Sequence, residues 1–419
     1  MRIFKFGGAS VRNAESVRTI PDILKRYNDE PLVIILSAMG KTTNALEILA
    51  ESAYYGRKDM EEILDSIMDQ HFSIAIDLFH SDHEIFTYLR GIHNELLAWT
   101  GNSLNRDLDY DLYYDQVIPF GELMSTRILN AWLNHTGMTS TWLDARTMVM
   151  TDNTYRAAQV DWDSSREKIV AAVAPETRKG KLVVTQGFIG SNGLFSTSLG
   201  REGSDFSGAI FANTLDASEL VVWKDVPGYL NADPKYFSDT VKYDRLSYTE
   251  CIELAFFGAK IIHPKTIQPL KNKNIPLLVK SFLQPDEPGS VIHEDSSYDH
   301  LVPACIIKED QVLISISSRD YSFIGQDHLY TIFGLFAGHH TAINLMQNSA
   351  ISFSVCVDNS RHLPVLLETL QNTFRVKFND GLQLLTIRHY NQEITEKLTS
   401  NREILLEQRS RLTVQFVVK

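Results

Sequence analysis

The sequence predicts an α/β protein built on a mainly parallel sheet, followed by a smaller α+β module. Three observations predict it. Short apolar runs alternate with helical stretches from Met1 to Leu283, as in a parallel sheet covered on both faces. Leu32–Leu36 (LVIIL) is apolar without a break, as expected of a strand buried on both sides. Around Gln284–His300 the chain turns polar (PDEPGS, EDSSYDH) and the periodicity beyond it changes. The expected domains are therefore residues 1–290 and 300–419.

Taken in order, Arg2–Phe6 is a short strand ending in Gly7 and Gly8, with Ser10 and a helix-like VRNAESVRTIPDILKRY behind it. Strand, glycine turn and helix in that order cradle phosphates on backbone amides. Lys5 stands just before the glycines, within reach of a phosphate at the turn; a lysine on an edge strand with no role is the competing reading. After Leu32–Leu36 comes SAMGKTTN, where Ser37 and Thr43 put hydroxyls at the carboxyl end of the strand, the usual ligand side of an open α/β sheet. From Ala45 to Asn134 apolar residues recur at three- and four-residue steps, which reads as helix. His71, His80, His83 and His93 show no metal spacing and read as surface or packing residues. Asp107–Asp115 (DLDYDLYYD) lacks the glycine turn of a calcium loop and reads as a solvated connector. In PFGELMST, Gly121 leads into a helix, and Glu122 at its start is favoured by the dipole. Glu122 could also grip a substrate ammonium group; capping alone would explain it equally well.

Thr139–Leu143 and Leu182–Gln186 are strands, the second feeding Ser198–Ala209 (SLGREGSDFSGA). That stretch packs glycines, hydroxyls, a cation and a carboxylate into one turn that opens a helix. Gly200 and Gly203 allow close backbone approach, and Ser204 and Asp205 are good N-cap types. Arg201 can hold a carboxylate or phosphate with two parallel bonds, and Asp205 suits organising a cation or orienting a lysine. Leu220–Trp223 ends in KDVPGYLNADPK, a rigid loop with Lys224, Asp225 and Lys235. YTECIELAFFGAKIIHP is a helix whose GAK turn exposes Lys260, and IPLLVKSF is a further strand. Beyond the boundary, Gln311–Ser315, Ala350–Val357, Gln383–Ile387 and Arg411–Val418 read as strands. YTIFGLFAGHH, PVLLETLQN and EITEKLT read as short helices, giving two small β/α units, the second apparently cut short at a strand.

The 419 residues are 44% apolar and 22% charged, the profile of a globular protein of two or three domains. A net charge of −12 disfavours nucleic acid or an anionic membrane as main partner. No apolar run reaches membrane-spanning length, and MRIFKFGGAS reaches glycines too soon for a secretory signal. Cys251, Cys305 and Cys356 are far apart and fit reduced thiols, so a cytoplasmic protein is expected.

KFGGAS, SAMGKTTN, FGELMST, TQGFIG, SLGREGSD, WKDVPGYLNADP and ELAFFGAKIIHP resemble, in order and spacing, the motifs of aspartate kinases in the amino-acid kinase superfamily. Seven motifs in order are specific, and the resemblance covers Met1–Leu283; the C-terminal part resembles the paired ACT domains of the same enzymes. The resemblance implies a three-layer αβα sandwich with a ferredoxin-like regulatory module. It implies phosphorylation of the β-carboxylate of L-aspartate by ATP with Mg²⁺, opening lysine, threonine and methionine biosynthesis. Lys5 and the amides of Gly7 and Gly8 would then hold the phosphates, with Ser10 beside them. Asp205 would orient Lys5 or the Mg²⁺ hydration shell, with no direct protein ligand to the metal. Arg201 would bind an aspartate carboxylate and Glu122 its ammonium, helped by Ser37, Thr43 and Ser204. Lys224, Asp225, Tyr229, Leu230, Lys235 and Lys260 match nucleotide-side positions. ACT units generally pair edge to edge, so a homodimer is expected, with Asn344, Asn348 and Ser349 as candidate contacts for an amino-acid effector.

The sequence departs from the family pattern at several points. Ala9 replaces a threonine, Glu202 replaces the first glycine of RGGSD, and Tyr229 comes one position early with Leu230 in the aromatic's place. A carboxylate beside a phosphate site is unfavourable, so Glu202 is expected to point outward. Ala342 and Asn344 stand where lysine-sensitive relatives often carry serine and aspartate. Two alternatives remain open at this point: a superfamily kinase with another acceptor, and a catalytically weak amino-acid sensor of the same fold.

Overall fold

The protein is described by a computed structural model covering residues 1–27, 30–259 and 261–419. It divides into two compact units. The first comprises Met1–Tyr229, Lys242–Ile252 and Ile261–Ser296; the second comprises Leu230–Val241, Glu253–Lys260 and Ser297–Lys419. Two short segments of the expected first domain thus group with the C-terminal unit.

The first unit is built on an eight-stranded sheet. Its strands are β1 (Arg2–Phe6), β2 (Leu32–Leu36), β3 (Ser140–Trp142), β4 (Leu182–Gln186), β7 (Glu219–Lys224), β8 (Arg245–Ser247), β9 (Leu277–Ser281) and β10 (Ser290–His293). A separate hairpin joins β5 (Ile189–Ser191) and β6 (Ser196–Ser198). The order is β3-β4-β2-β1-β7-β9-β10-β8, and every pairing is parallel except β9 with β10. All five residues of β2 are buried, as its unbroken apolar run predicts.

Helices cover both faces. The layer on one face holds α1 (Ala14–Leu24), α2 (Thr42–Tyr54), α3 (Met60–Leu78), α4 (Ile85–Gly101), α5 (Tyr110–Val117) and α6 (Phe120–His135), packed on Phe4, Phe6, Ile34 and Trp223. Phe6 and Trp223 stack at 5.8 Å, which ties β1 to β7. On the other face lie α7 (Trp162–Arg178), α8 (Gly203–Thr214) and, against α8, α10 (Pro264–Lys271); α9 (Tyr248–Phe257) follows β8. Alternation along β1 sends Phe4 and Phe6 to the first layer and Lys5 towards α8. Gly208 of α8 makes room there: a Cβ would lie 3.0 Å from Leu220 and 3.6 Å from the Lys5 Cβ.

Asp107–Asp115 is not a solvated connector. Its second half forms α5, where Tyr113, Tyr114 and Asp115 are buried. Tyr110, Tyr113, Tyr114 and Val117 follow an i, i+3, i+4, i+7 spacing, an amphipathic helix whose apolar face is tyrosine.

The second unit carries a six-stranded antiparallel sheet of β11 (Ala304–Ser317), β12 (Ile343–Asn348), β13 (Ser352–Asp358), β14 (Arg375–Arg388), β15 (Ile404–Arg409) and β16 (Thr413–Val418). Its order is β12-β13-β11-β14-β16-β15. The helices are α11 (Gln326–Gly338), α12 (Leu363–Thr373) and α13 (Gln392–Thr399). β11 and β14, each 14 residues long, pair along their length with irregularities between Lys308 and Gln311 and between Gln311 and Leu313. The late half of β11, α11, β12, β13, α12 and the early half of β14 make one ferredoxin-like βαββαβ unit. The late half of β14, α13, β15 and β16 make most of a second. Its fourth strand is the early half of β11, through Cys305 against Ile387 and Ile307 against Leu385. The four strands of this second βαβ unit are therefore all present, with α13 as its helix: the strand that seemed missing precedes the first unit in the chain.

Candidate active site

Loops after β1, β2, β4 and β7 leave the sheet at one rim, because these strands are neighbours and parallel. A cavity of about 650 Å³ opens there, and Lys5, Ser37, Thr43, Glu122, Arg201, Ser204, Asp205 and Lys224 all line it. Lys5 and Arg201, which sequence reasoning requires to face one ligand, share this cavity.

The charged centre is compact. The Lys5 ammonium lies 2.6 Å from Asp205 Oδ1 as an ion pair, and Lys224 Nζ lies 3.4 Å from Oδ2. Lys224 also donates to the Ile261 carbonyl. Asp205 is buried, which alone would raise its pKa, but the two ammonium groups more than offset this and hold it below the usual carboxylate range. Arg201 is exposed and makes no ion pair among the described residues. Glu122 is buried at the start of α6. Its Oε1 accepts the Ala38 N–H at 3.1 Å, while Oε2 has no hydrogen-bond partner. Burial pushes its carboxyl up to about 8, against the opposing pull of the Ala38 N–H and the Lys5 charge.

Glycine loops set the geometry. A Cβ on Gly8 would lie 2.8 Å from the Ala38 carbonyl oxygen and 2.9 Å from that of Gly40, so the loops after β1 and β2 touch only because residue 8 is glycine. Gly7 sits beside the Lys5 ammonium. Ser10 is buried on a 3₁₀ turn, Gly8–Val11, with its hydroxyl unpartnered; it is not among the cavity-lining residues. α8 begins at Gly203 with Glu202 before it, so Ser204 and Asp205 occupy its first turn rather than capping it.

Glu202 corrects an expectation. It lines the cavity, is only partly exposed, and buries Oε2 without a hydrogen-bond partner. Its φ of 52° is left-handed, as are those of two other lining residues, Arg156 (63°) and Phe188 (72°). Three non-glycine residues in that region around one cavity is the strain pattern of a functional site.

Of the nucleotide-side candidates in the loop after β7, Lys224 lines the cavity. Asp225 is exposed and outside the cavity lining. Tyr229 is buried (1% exposed) with its ring edge-on to Tyr243, so it is a core residue and presents no face to a nucleotide. Leu230 and Lys235 belong to the second unit, where Lys235 lies 3.5 Å from Glu309 and bonds the Tyr236 hydroxyl. Lys260 lies outside the described residues. Of the effector candidates, Asn348 and Ser349 are exposed at the end of β12. Asn344 is held from within: it accepts from Lys308 Nζ (2.8 Å) and donates to Gln311 (2.8 Å) and Asp358 (2.9 Å).

Sequence reasoning missed Glu47, Tyr114, Asp115 and Arg156. Tyr114 donates to Glu47 at 2.5 Å, the Arg156 guanidinium lies 4.4 Å over the Tyr114 ring, and all three side chains line the cavity. Asp115, fully buried, accepts from the Ser198 hydroxyl (2.6 Å), the Ser198 N–H (2.8 Å) and the Arg156 N–H (2.9 Å). It pins the strand that leads into Gly200 and Arg201. The helical spacing of the tyrosines was the signal available for Tyr114 and Asp115; Glu47 on α2 and Arg156 had none.

Fold and site together define an α/β enzyme that handles phosphate beside a small charged substrate. The chain belongs to the amino acid kinase family, whose model matches residues 1–281, and within it to the aspartokinases. It is 30% identical over 394 residues to the lysine-sensitive aspartokinase 3 of Escherichia coli strain K12, covering 92% of this chain and 86% of that one. The crystal structure of E. coli aspartokinase III with aspartate and ADP (R-state) superposes with a TM-score of 0.83 at 26% identity, covering 100% of this chain and 96% of that chain. The structure of that protein with lysine and aspartate (T-state) gives 0.82 over the same shares, also at 26% identity.

Proposed function

We propose that the chain transfers the γ-phosphoryl group of ATP to the β-carboxylate of L-aspartate, yielding 4-phospho-L-aspartate and ADP (EC 2.7.2.4). The observation that carries this reading is the single cavity into which Lys5, Arg201, Glu122 and Asp205 converge. The carboxylate oxygen of aspartate attacks the γ-phosphorus, and the bond to the β,γ-bridging oxygen breaks with its electron pair leaving on ADP. A carboxylate is already ionised, so the step needs positioning and charge neutralisation rather than a general base.

Each residue has a role that its position supports. Arg201, unpaired and exposed on the rim, forks the α-carboxylate. Glu122 takes the ammonium on its orphaned Oε2. Lys5 meets the transferring phosphoryl oxygens, and the amides of Gly7 and Gly8 support them. Asp205 pairs with both Lys5 and Lys224, aiming them and balancing two cations. Ser37, Thr43 and Ser204 supply hydrogen bonds from the lining. Magnesium would enter as part of the nucleotide complex, with Asp205 beside the phosphate site to orient its hydration shell. Bound to the phosphates, it would neutralise their charge.

A coupled assay for ADP release with aspartate as acceptor tests the reading. Glutamate, acetylglutamate, carbamate and a nucleoside monophosphate serve as comparison acceptors; turnover with one of these instead of aspartate overturns it. The catalytic domain is taken as residues 1–290 and the regulatory module as 300–419. A homodimer through the edge of the sheet of the second unit is supported by the edge strand β12, which presents Met346 at 50% exposure. A monomeric mass in solution contradicts this. An amino-acid effector is proposed for the same module; activity unchanged by lysine, threonine and methionine at millimolar levels removes it. No helix among the described residues is long and apolar enough to cross a membrane, and a cytoplasmic location is proposed.

A further inference from the structure

The first unit holds a second cavity, of about 660 Å³, away from the residues just described. It lies between the start of α4 and the late part of α6, and His83, Tyr88, Arg127, Asn130, Asn134 and His135 line it. Arg127 is its anchor. The guanidinium stacks 3.7 Å from the Trp142 ring and 5.1 Å from that of Tyr88, a slot that fixes its plane. Its Nε is buried without a hydrogen-bond partner, and it makes no ion pair among the described residues. A neighbouring carboxylate, Asp144, is already forked by Arg146, at 3.0 Å to Nε and 2.6 Å to Nη2. Arg127 is partly exposed, and beyond a hydrogen bond with the Tyr88 side chain its guanidinium has no acid partner among the described residues, which leaves N–H groups for an added oxygen acceptor.

The surrounding groups are of the same kind. His83 Nδ1 accepts the Ile85 N–H at 3.1 Å, so its neutral ring carries the proton on Nε2 and offers a donor there. His135, stacked on Trp132 at 5.4 Å, adds a second imidazole. The carbonyl of the Asn134 amide accepts from Ser140 N–H while its NH₂ is spent on Asn130 and Ser140, so the amides add no competing free acceptor. The cavity also meets the N-terminal end of the 17-residue α4, whose dipole favours negative charge. Glu84 is the one acid in the lining, and it is exposed.

We propose that this cavity is a binding site for a small oxyanion, a phosphate or carboxylate group, gripped by the Arg127 fork and flanked by His83 and His135. The site is independent of the phosphoryl-transfer reading. It shares α6 with the first cavity, since Glu122 stands at one end of that helix and His135 at the other.

Calorimetric titration of the full chain with inorganic phosphate, and separately with succinate, tests it. The Arg201→Met variant removes binding to the first cavity and should retain this site. Adding Arg127→Met should weaken binding by about tenfold or more, the worth of a charge-assisted fork. Arg127→Lys, which keeps the charge but loses fork and stack, should fall between. His135→Ala, at an exposed helix end, should weaken binding while leaving the thermal melt unchanged, so a failure of the Arg127 variants to fold leaves the test intact. Ligand binding should also change the fluorescence of Trp142. Binding of phosphate alone identifies a phosphorylated ligand, and of succinate alone a carboxylate; either supports the site. Binding that is lost in Arg201→Met, or that survives unchanged in folded Arg127→Met, overturns it. So does the absence of heat with both probes at about 10 mM, well above the roughly 1 mM affinity expected of a minimal fragment.

Discussion

Glu122→Gln separates a ligand-gripping carboxylate from a merely buried one. Glu122 is 2% exposed, with one oxygen bonded to the Ala38 N–H and the other unpartnered, and burial raises its pKa to about 8. An arriving ammonium needs the carboxylate, so below about pH 8 aspartate binds only as the proton leaves. The apparent KM for aspartate should therefore rise about tenfold for each pH unit below that point, until the lower pKa of the complex is reached, and be flat above it. Glutamine keeps the shape but loses the charge. A hydrogen bond to a charged group is worth about 1.5–3 kcal/mol, so KM at pH 8 should rise about 10- to 150-fold, and the pH slope should vanish. Stability moves the other way. A carboxyl whose folded pKa is raised contributes stability that is fully present below its unfolded value of 4.5 and is lost as pH rises to about 8. The glutamine variant has no proton to lose, so it should melt higher than the wild type above pH 8. The assay is ADP release with aspartate varied at pH 6, 7, 8 and 9, with thermal melts at pH 9. A wild-type KM that does not change between pH 6 and 8, or a variant that keeps the slope, refutes the reasoning.

Other substitutions probe the remaining groups. Lys5→Met should cut kcat by about 10²- to 10³-fold while leaving aspartate affinity, measured by equilibrium titration, nearly intact; near-normal turnover would remove Lys5 from the chemistry. Asp115→Asn cannot accept equally from the Ser198 hydroxyl and two backbone N–H groups, so it should lose about 1–3 kcal/mol of stability and raise the KM for aspartate through Arg201. An unaltered KM would show that Asp115 supports the fold alone. Glu202→Gly removes a left-handed side chain and a carboxylate from the cavity. It should gain about 1 kcal/mol of stability and lower the KM for ATP, whereas a raised KM for ATP would give the carboxylate a positive part in nucleotide binding. Gly8→Ala forces a Cβ against the Ala38 and Gly40 carbonyl oxygens and should lower both stability and kcat, read from melts and initial rates.

What could be read from the sequence was whatever lay next to a buried strand. β1, β2, β4 and β7 are apolar enough to announce themselves, and in a parallel sheet their following loops must share a rim. Lys5, Ser37, Arg201 and Lys224 could therefore be brought together without coordinates. Contributions from helices were harder to see. Tyr114 and Asp115 sit in a stretch whose density of acids and tyrosines mimics a solvated loop; the helical spacing appears once the tyrosine rings are taken as one buried face. Tyr229 and Lys235 were named from their position within a motif alone. One is packed edge-on to Tyr243 in the core, and the other is paired with Glu309. Glu202 escaped because a carboxylate was expected to avoid a phosphate cavity, whereas the turn before α8 turns it inwards with one oxygen buried.

The second unit shows why local reading stops short of topology. Its strands β12 and β15 were missed because they are edges: INLMQN and ILLEQR alternate weakly, as strands with one free side and a solvated face do. β11 was read as five residues because its middle is KED, polar where the ladder slips. Lys308 pairs with Leu384 and Gln311 with Leu382, so three steps on one strand answer two on the other. The extra residue reverses the alternation, and odd-numbered Cys305 and Ile307 before it, like even-numbered Val312, Ile314 and Ile316 after it, all reach apolar cores. The polar residues at the slip are used, not wasted. Lys308, Gln311, Asn344 and Asp358 bond one another there, joining a strand shared by both βαββαβ units to the edge strand that carries the effector candidates. An event at β12 that broke the Lys308–Asn344 bond would thus act first on β11, which with β14 is shared by both units.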